Sequence, residues 1–295
     1  MRYALVHGRR SGRGGAAAVG EAATGALRAA GHDVVQVTAG TMEQARAASA
    51  ALVADGVDVL VVAGGDGLVS LGADVCAGTG TTLGILPAGT GNDNARSLGL
   101  PTDPARCVEV LLEGRTRTVD TLLLPDLERR VLGSVCTALE ARINARANRL
   151  PRRLGAASYT LSALVEIALL RRQPPLRYRL TVDGRPRELE ALVVVAASMP
   201  FFGGGLPIAP EADPADGALD LVLVHPVIPG AALGVLRALR AGRHTGHPAV
   251  EVHRAREVTV EGPDDVVAHG DGEPLGSLPL TVRVDAASLR VVVPG

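Results

Sequence analysis

The sequence contains no lysine: all 30 of its basic lysine-or-arginine positions are arginine. That absence excludes every mechanism built on a lysine, including a Walker A phosphate loop, the strand lysine of protein kinases and Schiff-base chemistry. Aromatic residues are nearly missing too, with no tryptophan and two phenylalanines, which are adjacent at Phe201 and Phe202. The cysteines Cys76, Cys107 and Cys136 are odd in number and lack CxxC spacing. Neither a disulfide framework nor a zinc site follows, and a reducing compartment is expected. No apolar run is long and unbroken enough to span a bilayer; the stretch from Tyr159 to Leu170 is too short. Met1 to Gly8 is a short apolar strand running into glycines, without a signal-peptide core, so a cytoplasmic protein is expected. The net charge of -1 gives no global field for nucleic acid, which is not expected as a partner, nor for anionic lipid. Any attraction of that kind must be local.

What is present reads as a soluble globular protein, with 47% apolar and 21% charged residues. Its 295 residues suffice for one large or two modest domains. The first part of the chain alternates strand and helix. Arg2–His7 reads as a buried strand, Gly15–Ala30 as an alanine-rich helix, Asp33–Thr38 as a strand and Met42–Ala54 as a helix. Val57–Ala63 is an apolar run ending in glycines, which suits a parallel strand covered on both faces. Thr82–Leu86 is another strand, and Pro104–Glu113 a helix opened by its proline. This is a doubly wound α/β pattern over residues 1–120.

From about Thr116 the pattern changes. Two helical stretches, Glu140–Leu150 and Ala156–Arg171, precede candidate strands at Leu176–Val182, Glu188–Ala197, Ala218–Val224, Glu257–Glu261, Pro279–Asp285 and Leu289–Val293. Alternation in Val258-Val260 and Leu280-Val282-Val284 points to half-exposed antiparallel strands. Residues 121–284 are therefore expected to form a second, β-rich, sandwich-like domain.

The strongest chemical signal is Val61-Val62-Ala63-Gly64-Gly65-Asp66-Gly67, at the C-terminal end of a predicted strand, where ligands bind in open α/β sheets. Glycines there let the backbone approach phosphates, and the following helix offers unpaired N–H groups. Asp66 then sits where it can bind magnesium, directly or through water; a plain tight turn is the competing reading. A second glycine loop, Leu86-Pro87-Ala88-Gly89-Thr90-Gly91-Asn92-Asp93-Asn94, supplies Thr90 and Asn92 beside another helix start. Alone it reads as a helix cap; beside Asp66 it suggests a nucleotide cleft. The first turn, Gly8 to Gly15, carries Ser11 among glycines at the same sheet edge.

In the second domain, Phe201-Phe202-Gly203-Gly204-Gly205 leads into Asp213-Pro214-Ala215-Asp216-Gly217-Ala218-Leu219-Asp220. That turn suits a hard cation or an Asx turn equally. His269-Gly270-Asp271-Gly272-Glu273 puts two carboxylates on a glycine-flanked turn, which is a site or an ordinary hairpin. Arg142, Arg146, Arg149 and Arg153 recur at helical spacing, as a solvated face or as a contact for anionic lipid. Phe201 and Phe202 would face opposite sides of a strand, and at least one ring is expected at an acyl-chain entrance or membrane interface.

These four motifs, VVAGGDG, ILPAGTGND, FFGGGLPIAPEADPADGALD and DGEPL, occur in the order and rough spacing of the diacylglycerol kinase catalytic family, which includes sphingosine and ceramide kinases. The chain resembles that family over nearly its whole length. The resemblance implies that ATP lies between the domains, cradled by Gly64, Gly65, Asp66 and Gly67 with Thr90 and Thr38 assisting. It implies Asp271 as general base, Glu273 as its companion at the nucleotide, and Asp216 with the carbonyls of Asp213 and Ala218 as a structural magnesium site. It also implies that the final strands, residues 285–295, return to complete the first domain.

An ATP- and magnesium-dependent lipid kinase is thus expected, acting on a diacylglycerol-like or sphingoid-like hydroxyl at a membrane surface, with a homodimer left open. The chain departs from the family at Leu68-Val69-Ser70-Leu71, Gly8-Arg9, Glu140 and Ser198, which puts full activity in question. An NAD kinase-like enzyme and a non-catalytic nucleotide- or lipid-binding protein are the competing readings.

Overall fold

A computed structural model describes residues 1–8, 15–138, 143, 146, 149, 150, 157–169 and 175–295. The chain divides into two compact units. The first comprises Met1–Thr121, Arg130–Leu132 and Ala286–Gly295; the second comprises Leu122–Arg129 and Gly133–Asp285.

The first unit is the α/β body. Strands β1 (Arg2–Gly8), β2 (Asp33–Ala39), β3 (Val59–Gly64) and β4 (Thr82–Pro87) run parallel in the order β2-β1-β3-β4. Every residue of β3 and β4 is buried, as a sheet covered on both faces requires. Val291, near the chain end, pairs in parallel with Leu83 of β4. Helices α1 (Gly15–Ala29), α2 (Met42–Ala54), α3 (Asp66–Cys76), α4 (Asp93–Ser97) and α5 (Pro104–Glu113) connect or follow these strands. Local chemistry sets their ends. Thr41 caps α2 by accepting from the Gln44 N–H at 3.1 Å. Asp103 caps α5 through the Arg106 N–H at 3.1 Å, Pro104 occupies its first turn, and Gly114 ends it at φ 65°. Shared register matters most for the site: Gly8 lies opposite Ala39 and Gly64 opposite Pro87, so the C-terminal strand ends stand together along one sheet edge.

The second unit is β-rich, as expected. One antiparallel sheet runs in the order Val250–Ala255, Leu219–Val224, Val193–Ala197, Ser134–Ala138, Val267–Gly270, Glu273–Ser277. In another, Glu257–Glu261 lies between the first half of Leu280–Val292 and Leu176–Val182, which pairs in turn with Arg185–Ala191. Cys136, Val195, Ile208, Val222, Val235 and Val250 form one apolar core, which also takes Phe202. Helices Ala157–Leu169 and Pro229–Arg240 meet over a second cluster containing Ile143, Ala163, Leu192 and Ala232.

Three details differ from expectation. The expected strand Glu188–Ala197 is two strands, Arg185–Ala191 and Val193–Ala197, which pair in different sheets. Pro279–Asp285 and Leu289–Val293 are parts of one strand, Leu280–Val292, which accommodates Ala287 at φ 51°. Pro229–Arg240 is a helix that alternation-based reading passes over. Most of the expected helix Glu140–Leu150 lies outside the described residues. Among the described residues, no helix is long and apolar enough to cross a membrane.

Candidate active site

Two glycine loops meet at the edge of the first unit. Strand β3 ends in Gly64, Gly65 caps α3 in extended conformation, and Asp66 opens that helix. The Ala88 N–H donates to the Gly64 carbonyl at 2.8 Å, binding the second loop to the first. A Cβ on Gly89 would stand 2.4 Å from the Cα of Gly65, a backbone-to-backbone approach that only glycine permits. Asn92 then locks its own loop: its Oδ1 accepts from the Gly89 N–H at 2.9 Å, its amide donates to the Gly89 carbonyl at 3.1 Å, and its φ is 54°. Asp66 Oδ1 accepts from the Asn94 N–H at 3.1 Å, so the carboxylate ties the start of α3 to the start of α4. A helix start is a place where backbone N–H groups can meet an anion, and the helix dipole favours negative charge there. Glycine backbone, a helix start and a half-buried carboxylate suit a phosphate chain and an associated cation.

Thr90 is exposed on the second loop. Thr38, at the end of β2, is exposed, and its hydroxyl lies 3.1 Å from His7 Nε2, which also lies 3.1 Å from Gln36 Nε2. Ser11 lies outside the described residues. Leu68, Ser70 and Leu71 are buried, with Leu68 packed over Gly64. Leu68 thus places an apolar side chain between α3 and the end of β3.

In the second unit, Asp271 and Gly272 are the two central residues of the turn joining Val267–Gly270 to Glu273–Ser277, with φ of 46° and 85°. Two positive φ values mark the type I′ hairpin that an Asp-Gly pair favours. The turn also positions the Asp271 carboxylate. Its Oδ1 accepts from the N–H groups of Gly133 and Ser134 at 3.1 and 3.0 Å, and its own N–H donates to the Ser134 carbonyl at 3.0 Å. Gly133 is held in turn, its carbonyl accepting from the N–H and hydroxyl of Ser198 at 2.9 and 3.2 Å. Glu273 is exposed one residue beyond the turn.

In the Asp213–Ala218 turn both aspartates are engaged by nearby donors. Asp216 Oδ1 accepts from the Ala218 N–H at 3.0 Å, and its Oδ2 pairs with the Arg254 guanidinium. Asp213 Oδ1 accepts from the Ala215 N–H at 3.1 Å. Both Asp216 oxygens thus accept hydrogen bonds, and the Arg254 guanidinium supplies the positive charge beside them. No group of three or more metal-ligating side chains occurs among the described residues.

Comparison with known proteins shows the family. Residues 2–124 match the diacylglycerol kinase catalytic domain, and residues 133–293 match the YegS C-terminal NAD kinase beta sandwich-like domain. A Mycobacterium tuberculosis protein named diacylglycerol kinase is 36% identical over 290 residues, covering 96% of this chain and 92% of that protein. The chain belongs to the diacylglycerol kinase family. A Pseudomonas aeruginosa protein named "Probable lipid kinase YegS-like" is 30% identical over 295 residues, covering 98% of this chain and 93% of that one. A crystal structure of a diacylglycerol kinase from Bacillus anthracis strain Sterne shares the fold at a TM-score of 0.73 and 18% identity, covering 99% of this chain and 97% of that one. Membership of the diacylglycerol kinase family makes the chain a kinase with an α/β first unit and a β-rich second one.

Two residues that position Asp271 were invisible to sequence reading. Gly133 and Ser134 hold it from far along the chain, and away from that hairpin Asp74 accepts from Arg46 at 2.6 Å and from the Arg130 N–H at 2.7 Å. Neither arrangement leaves a local pattern, because the partners come together only through the sheet and helix packing.

Proposed function

We propose that this member of the diacylglycerol kinase family transfers the γ-phosphoryl group of ATP to the hydroxyl of a lipid, diacylglycerol-like or sphingoid-like. The observation that carries the reading is the Asp271 carboxylate, presented on a rigid hairpin and fixed by the Gly133 and Ser134 N–H groups.

In this reading Asp271 accepts the acceptor's hydroxyl proton while the hydroxyl oxygen bonds to the γ-phosphorus. The β,γ-bridging oxygen leaves with ADP. The backbone of Gly64, Gly65 and Gly67 and the start of α3 take the phosphate oxygens, with Thr90 and Thr38 as further hydroxyl contacts and Glu273 beside the nucleotide. Asp66 is the carboxylate suited to hold the magnesium that accompanies ATP, an ion that would neutralise charge on the phosphates. No role is assigned to the Asp216 turn beyond holding its loop.

The test is incubation with γ-labelled ATP, magnesium, a mixed lipid extract and NAD. Label in a phospholipid is the expected result. Label in NAD, or no transfer, would overturn the reading in favour of the NAD kinase-like enzyme or the binding protein respectively.

A further inference from the structure

Four of the large apolar residues exposed on the described surface belong to two helices of the second unit. In Ala157–Leu169, Leu161 is 46% and Leu164 41% exposed. Ile228, which caps Pro229–Arg240, is 72% exposed, and Leu233, five residues on, is 42% exposed. The two helices pack on one another and bury their inner faces in one cluster, through Ala163 on the first and Ala232 on the second. The exposed leucines therefore occupy faces that this core does not use.

Charge on those faces is one-sided. The only ionisable acid of the first helix, Glu166, is buried and accepts from Arg146 at 2.8 Å. The second helix has no acidic residue, and no charged residue occurs from Pro226 to Leu236. Its last turn then carries Arg237 and Arg240, both exposed. With a rise of about 1.5 Å per residue, these arginines stand roughly 6 and 10 Å along the axis from Leu233. A helix lying in the plane of a membrane interface buries an apolar face about 5–10 Å deep and keeps its cations at phosphate level, and an apolar first half followed by arginines offers both parts. A complementary partner must be apolar where Ile228 and Leu233 enter and negative where the arginines lie.

We propose that the outward faces of these two helices dock on a bilayer containing anionic lipid, with Ile228 and the leucines entering the interface and Arg237 meeting its phosphates. The proposal rests on the lipid-acceptor reading above and gives the membrane contact a place. Of the features that the sequence suggested for it, Arg146 is tied to the buried Glu166 and Phe202 lies in the core, while Arg149 is exposed, Phe201 is half-buried, and Arg142 and Arg153 lie outside the described residues.

Vesicle sedimentation tests the docking, with phosphatidylcholine alone or mixed with phosphatidylglycerol. The wild type should bind the mixed vesicles, and added salt should weaken that binding by screening. Leu161→Ser with Leu164→Ser, and Ile228→Ser with Leu233→Ser, should each weaken it roughly tenfold or more. Arg237→Glu should abolish the preference for phosphatidylglycerol. Because the chain has no tryptophan, Ile228→Trp supplies a reporter in an otherwise intact protein, and its emission should shift to the blue only with the mixed vesicles. Equal binding of wild type to both vesicle types, full binding by either serine pair, or an unshifted emission from the introduced indole would overturn the proposal. A dimer that the serine pairs dissolve would assign the face to a second copy of the chain, and would overturn it too. Vesicle binding without any lipid phosphorylation would sink the kinase reading and leave the docking standing. Lipid phosphorylation in detergent micelles without vesicle binding would do the reverse.

Discussion

Gly89→Ala should loosen the pair of glycine loops and with them the nucleotide. The new Cβ would lie 2.4 Å from Gly65 Cα and 2.9 Å from Asn92 Oδ1. Non-bonded carbons rest at about 3.5–4.0 Å, so the loops must part by roughly 1 Å. Overpacking that moves backbone costs about 1–3 kcal/mol. With each kcal/mol worth about 2–4 °C in a domain of this size, the melting temperature should fall by roughly 2–12 °C. A bound ligand at a hundred times its dissociation constant adds about 2.7 kcal/mol of stability, and the variant should lose much of that increment because the loops no longer converge. Thermal unfolding with and without magnesium-ATP reads both effects. Gly25→Ala is the control: it is exposed within α1, with nothing within 4 Å of the added methyl, and should stabilise by about 0.5–1 kcal/mol. If Gly89→Ala melts with the wild type and keeps its full ATP-dependent rise, the loops do not form the nucleotide site.

Two other predictions follow from ion pairs in the second unit. The Arg187 guanidinium, with His225 and His253 beside it, holds Glu251 down to about 2 from an ordinary 4.5. A depressed carboxylate contributes stability above its unfolded pKa and loses it as pH falls through the folded value. Glu251→Gln should therefore lower the denaturation midpoint at pH 7, and the gap to wild type should close between about pH 4.5 and 2; a constant gap across that window would refute the assignment. Arg254→Met should lower the melting temperature by releasing the Asp216 turn. Added magnesium should shift neither that variant nor the nucleotide-free wild type, whereas a magnesium-dependent rise would restore the turn as a metal site.

Much of the first unit was legible because its signals are local. The apolar run ending in Gly64 predicts a covered parallel strand, and Asp103-Pro104 announces a helix start without reference to anything distant. The Asp-Gly pair at Asp271-Gly272 likewise encodes its hairpin, since both residues must adopt positive φ. What holds Asp271 was not legible, because Gly133 and Ser134 reach it through strand pairing rather than sequence proximity. The Asp216 turn was legible as a turn, but its partner Arg254 comes from the neighbouring strand, where Asp220 and Arg254 face each other across the ladder. The helix Pro229–Arg240 escaped because its alanines, glycine and leucines carry neither an acidic first turn nor a side-chain cap. For Phe201 and Phe202, strand alternation was the right physics, and it sends Phe202 into the core.

The central claim is that Asp271 is the base of a lipid kinase, and Asp271→Asn addresses it directly. An asparagine can keep its Oδ1 between the Gly133 and Ser134 N–H groups, where the aspartate Oδ1 already accepts both, so the turn should survive while proton acceptance is lost. Removing a general base typically lowers the rate by about 10²–10⁴. Turnover of γ-labelled ATP into lipid should drop by that factor, with ATP affinity within a few-fold of wild type and an unchanged melting temperature. Residual turnover above about a tenth of wild type would contradict the account.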